Sequence, residues 1–156
     1  MEKKYDSAQE TKSHICEVKG LLERCVEEIR LAALGHDISK LCPPEKDGFD
    51  EWTPKLKGST YGSEEYNKML SALSPFLDHH YKNNAHHPEH FENGVSGMDI
   101  FQILEMLMDW KAATLRHENG DILKSLEINK KCFKISDQLH CILKNTINNM
   151  GLSKKT

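Results

Sequence analysis

The spacing of apolar residues constrains this chain more than any other feature, because it follows a helical repeat almost from end to end. Between Met98 and His117 the residues Ile100, Phe101, Ile103, Leu104, Leu107, Met108 and Ala112 recur at intervals of three and four, which places them on one face of an α-helix. This is the most apolar segment, and it predicts the central core helix. Asn119 and Gly120 stop it, and Asp121 can cap the next helix, whose apolar spacing continues through Ile142 to Ile147. Upstream, Tyr66, Met69, Leu70, Leu73, Phe76, Leu77 and His80 predict another helix, bent near Pro75. From Glu10 to Leu41, Ile15, Val18, Leu21, Leu22, Cys25, Ile29, Ala32 and Ala33 keep the same spacing. Only residues 43–62 break it: Pro43, Pro44, Gly48, Pro54, Gly58 and Gly62 punctuate a polar stretch carrying Phe49, Trp52 and Tyr61, which reads as a long ordered loop. No segment alternates as a strand does. The expected fold is all-α, a single domain over 1–156.

Composition narrows the function classes. At 156 residues the chain can bury one sizeable core, and a net charge of -3 implies no general affinity for nucleic acid. The N-terminus lacks the apolar region of a signal peptide, and no run approaches the length that spans a bilayer, so a cytoplasmic protein without membrane partners is expected. The five cysteines, Cys16, Cys25, Cys42, Cys132 and Cys141, are odd in number and include no C-x-x-C pair. That pattern fits reduced, partly buried thiols rather than a disulfide framework.

Polar residues set into apolar faces carry the chemistry. His36 and Asp37 end the apolar run Leu31–Gly35, His14 shares the stripe of Val18, and Asp109 lies in the middle of the most apolar helix, where a carboxylate is costly unless paired or bound to a metal. Asp109 could alternatively pair with Arg116 two turns on. The stretch DHHYKNNAHHPEHF places His79, His80, His86, His87 and His90, five of the chain's nine histidines, within twelve residues. On one straight helix His14 and His36 would stand about 33 Å apart. Joint ligation of one ion therefore requires the chain to fold back between them, with the polar stretch Glu23 to Glu28 as the hinge of a helical hairpin.

In this order, His14, His36-Asp37, the histidine cluster and Asp109 resemble the H…HD…H…D signature of the HD-domain metal-dependent phosphohydrolase superfamily, and His36-Asp37-Ile38-Ser39-Lys40 is similar to its HD-x-x-K form. HDISKL, DHHYKNNAHHPEHF and EMLMDW together resemble an uncharacterised bacterial and phage family of unknown function. The superfamily resemblance implies an HD-like helical bundle around a central metal site holding one or two divalent ions, with hydrolysis of a phosphoester. It implies His14, His36, Asp37 and Asp109 as metal ligands with members of the cluster, for which His80, His87 and His90 are the candidates; spacing does not divide the cluster, and either His79/His80 or His86/His87 completes a second site, with Glu10 as an extra carboxylate. Imidazole and carboxylate ligands suit iron, manganese, nickel, cobalt or zinc. Lys40, His79, His86 and Asn84 are then the expected catalytic or substrate-binding residues, with Asn83 as a further donor and Trp110 as either a pocket wall or a core residue. The substrate expected is a nucleotide or other small phosphate ester. A nucleotide-binding or regulatory module, a di-iron oxygenase and a homo-oligomeric assembly are the other readings this pattern allows. His117 and His140 fit no motif and are expected at the surface.

Overall fold

In a computed structural model of the chain, residues 5–58, 63–116 and 119–153 are described, without the side chain of Lys57. Among them all regular structure is helical: α1 (Ser7–Gly35), α2 (Glu45–Gly58), α3 (Glu64–Asn83), α4 (Ile100–Leu115), α5 (Ile122–Cys132) and α6 (Asp137–Asn149), joined by 3-10 turns at Ile38–Leu41, Pro88–His90 and Gly94–Gly97. Tyr61, Gly62 and His117 lie outside the described residues. The chain divides into two compact units, 1–35 and 36–156.

The first unit is the single helix α1. It corrects the expected hairpin, because the helix runs through Glu23–Glu28 without a break. Its charged residues make pairs that suit a helix, Lys19 with Glu23 at i,i+4 and Glu27 with Arg30 at i,i+3. His14 stands 21 residues before Gly35, about 32 Å along the axis. None of the residues of α1 is buried.

The second unit is built around α4, α5 and α6, whose Leu107, Ile122, Leu126, Leu143 and Ile147 form the core together with Ile135. Each helix starts on a side chain that accepts from otherwise unpaired backbone N–H groups. Asp99 forms a capping box with Gln102, Asp121 accepts from Leu123 and Lys124 as its position implies, and Ser136 accepts from Leu139. Trp110 stacks on Phe133 at 5.9 Å and 7°, so it is a core residue. His140, expected at the surface, is buried with Nε2 2.9 Å from Glu127 Oε1. The cysteines are free, and all but the half-buried Cys25 are exposed, more open than expected.

The stretch expected as a loop carries α2. Its prolines and glycines mark the ends of a helix more than its absence: Pro43 and Pro44 precede it, where no helical N–H is lost, and Gly58 ends it. Gly48 and Pro54 sit inside. Gly48 has a steric purpose, since a Cβ there would lie 2.2 Å from Cγ of Phe76. Its bare backbone lets α2 approach α3 closely. Ser63 caps α3 by accepting from Tyr66 N, and α3 continues through Pro75 to Asn83.

Candidate metal centre

Asp37 has φ 56 and ψ 14, a left-handed conformation in which its carbonyl accepts from Lys40 N and the Ile38–Leu41 turn begins. Such backbone is uncommon for a residue with a side chain, and Asp and Asn tolerate it best. The turn leaves Asp37 Oδ2 bonded to Lys40 Nζ at 2.7 Å. Asp37 Oδ1 is buried without a hydrogen-bond partner, and His86 Nε2 is in the same state.

Around Asp37 three elements converge. From α3, His80 Nε2 lies 3.3 Å from Asp37 Oδ1. From the segment after α3, His86 Nε2 lies 3.6 Å from the same oxygen, and His87 Nε2 is 2.9 Å from His80 Nε2. From α4, Asp109 Oδ1 is 3.7 Å from His36 Nε2, which also sits 3.6 Å from Asp37 Oδ2. Among the described residues, the sets Asp37, His80, His86, His87 and His36, Asp37, Asp109 each bring ligand atoms within 4.8 Å of one another, as does His36, His86, Glu105.

Two glutamates that the sequence reading did not single out complete the surroundings. Glu45, on α2, has no solvent exposure; its Oε1 meets His79 Nδ1 at 2.8 Å, while Oε2 meets His80 Nδ1 at 2.9 Å and accepts from Ser39 Oγ at 2.9 Å. Glu105 Oε1 lies 2.9 Å from His36 Nδ1 and 3.1 Å from His86 Nδ1. Glu105 precedes Asp109 by one helical turn, so the same-face spacing was a signal that could have found it. Nothing marked Glu45, which sits in the segment expected as a loop.

The electrostatics follow from burial and company. Burial, then the neighbouring His87 and His36, lowers the pKa of His86 to about 4; burial, then His80 and Lys40, does the same for His87. His80 is lowered mainly by burial, then by Lys40. Burial works to raise Asp37 and Glu45, but both end below their ordinary values. Lys40 outweighs burial at Asp37, and hydrogen bonds from His79, His80 and Ser39 outweigh it at Glu45. The result is a group of neutral imidazoles among carboxylates, the protonation state in which both can ligate a cation.

The other expected residues are placed as follows. Asn84 is buried and spends its amide protons on His80 O and Ser39 Oγ, at 2.8 and 2.7 Å, so it supports the site rather than facing a substrate. His86, expected in catalysis, sits among the candidate ligands. His90, expected as a ligand, is exposed with Nδ1 2.8 Å from Tyr81 O, outside all these sets. His79 has a side chain 41% exposed and is held through Nδ1 by Glu45. Asn83 donates to His79 O. His14 and Glu10 belong to the first unit; Glu10 accepts from the Tyr5 hydroxyl, and the ligand sets form without either.

A family model described as a family of unknown function, DUF5662, matches residues 3–149. No curated protein and no solved structure matches the chain.

Proposed function

Since the chain belongs to that family of unknown function, its chemistry has to be argued from the site, and we propose that it is a metal-dependent phosphohydrolase acting on a small phosphate ester such as a nucleotide. The observation that carries this reading is the pair of buried, unpartnered atoms Asp37 Oδ1 and His86 Nε2, 3.6 Å apart, with His80 Nε2 3.3 Å from that same oxygen. Buried polar atoms are rarely left unpaired, and a cation would satisfy all of them at once. Charge argues the same way. Asp37, Glu45, Glu105 and Asp109 gather around imidazoles, and Lys40 is the ammonium bonded to one of them, leaving negative charge that a divalent ion would offset.

Asp37, His80, His86 and His87 would hold one ion, and His36 and Asp109 would hold a second, with Asp37 offering a different oxygen to each set. Such an ion supplies a Lewis acid that brings the pKa of a water toward about 7 and stabilises charge on a phosphoryl oxygen. The protein's own groups supply the rest. Lys40 carries a half-exposed ammonium suited to a phosphate as a point charge. His79, half open to solvent with Nδ1 fixed by Glu45, would exchange a proton through Nε2, which lies 3.4 Å from the Asn83 amide nitrogen.

The test joins elemental analysis of the purified protein with a phosphatase screen across nucleotides and simple phosphate esters in the presence of manganese, iron, cobalt, nickel or zinc. Bound metal with turnover that a chelator abolishes supports the reading. Absence of both, in protein supplied with each metal, overturns it.

A further inference from the structure

We propose that Glu45 and Glu105 are positioning residues, each holding a pair of histidines by their Nδ1–H groups so that the Nε2 lone pairs of His36, His80 and His86 turn toward the common centre. This deepens the reading above and rests on the cluster being a cation site.

The geometry is the same at both carboxylates. Glu45 meets His79 and His80 through Nδ1, and Glu105 meets His36 and His86 through Nδ1, all at 2.8 to 3.1 Å. An ionised carboxylate has no proton to give, so the ring nitrogen facing it carries the hydrogen. A neutral imidazole carries a single N–H, and its other nitrogen is then an acceptor. For His80, His86 and His36 that other nitrogen is the one within 3.3 to 3.7 Å of Asp37 or Asp109. Two carboxylates from different helices therefore select one tautomer at every shared position. The contact of Asn84 Nδ2 with His80 Nδ1, 2.9 Å, does not compete, because both amide protons of Asn84 are directed elsewhere.

The two glutamates differ in a way that a substitution can read. Glu45 uses both oxygens, Oε1 for His79 and Oε2 for His80 and Ser39, so a glutamine must turn its NH2 against one imidazole and force that ring to protonate Nε2 instead. Glu105 serves both its histidines with Oε1, so glutamine can keep both contacts.

The experiment uses the full chain in two states. In metal-free protein at pH 8, long-range nitrogen–proton NMR spectra should show His36, His79, His80 and His86 as Nδ1–H tautomers, and Glu45→Gln should convert His79 or His80 to Nε2–H. In titrations with manganese or zinc, Glu45→Gln should weaken binding about 10- to 100-fold. Glu105→Ala should weaken it comparably and Glu105→Gln should recover most of the loss, with circular dichroism confirming the fold of each variant. If Glu45→Gln does not fold, the Glu105 pair decides. An Nε2–H tautomer at His36, His80 or His86 in the wild type overturns the proposal. So do wild-type affinity in folded Glu45→Gln and equal binding by Glu105→Ala, Glu105→Gln and the wild type. A wild type that binds neither metal yet shows the four Nδ1–H tautomers would sink the cation reading while leaving the tautomer selection standing.

Discussion

At the scale of single residues, the left-handed backbone of Asp37 separates its charge from its shape. Asn accepts the same conformation, so Asp37→Asn should keep the fold and lose the anionic ligand, with bound metal falling sharply by elemental analysis. His80→Ala should behave likewise. His90→Ala, outside the ligand sets, should keep wild-type metal content, and a loss equal to that of His80→Ala would return His90 to the ligand shell. The histidines also make stability depend on pH. His86 and His87 have folded pKa values of about 4 against 6.5 when unfolded, so between these values the unfolded chain binds protons that the folded chain refuses. Their contribution is fully present above pH 6.5 and is lost as pH falls toward 4. By pH 5 the protein should therefore be measurably less stable than at pH 7.5. Urea unfolding of chelated protein at pH 7.5 and pH 5 measures it, and equal stability at the two would refute the assignment.

At the scale of elements, the contact of α2 with α3 sets the site. Gly48 follows Glu45 by three residues, and Phe76 precedes His79 and His80 by three and four. The packing of Gly48 on Phe76 thus lies one helical turn from the bonds of Glu45 to those histidines on both helices. Gly48→Ala should cost about 1–3 kcal/mol through overpacking and weaken metal binding as well. Adding Phe76→Leu should recover much of the stability, measured by urea unfolding, and no recovery would mean that the strain lies elsewhere. Periodicity made α3 and α4 legible, together with the cap at Asp121, because burial and helical spacing are written locally, but it ran past the break between Cys132 and Asp137 that divides α5 from α6. It failed over 45–58, where proline and glycine read as breakers although Pro43 and Pro44 precede a helix that Gly58 ends and that accommodates Gly48 and Pro54 inside. The hairpin in α1 failed for a different reason, since it was inferred from a ligand shared by His14 and His36 and not from any local stop signal. The histidine cluster was visible as composition, but its division among ligands, the held His79 and the outlying His90 depends on which partner each ring meets.

At the scale of the whole molecule, the two units should differ in how firmly they hold their backbone hydrogen bonds. None of the residues of α1 is buried, whereas Leu107 and Ile147 have no exposure at all. Amides of α1 should exchange with deuterium much faster than those in the middle of α4 and α6, which should approach the global rate of unfolding. Equal protection across both would contradict that difference. No helix among the described residues is long and apolar enough to cross a membrane. The candidate centre draws on widely separated parts of the chain: Glu45 meets His79 across 34 residues, Ser39 meets Asn84 across 45, and His36 meets Glu105 across 69. Synthesis proceeds from the N-terminus, at roughly 5–20 residues per second, so His36 and Asp37 leave the ribosome several seconds before Glu105 and Asp109. A nascent chain has no complete centre to offer, and on the proposed reading a metal would be captured at full strength only once α4 has been made and folded.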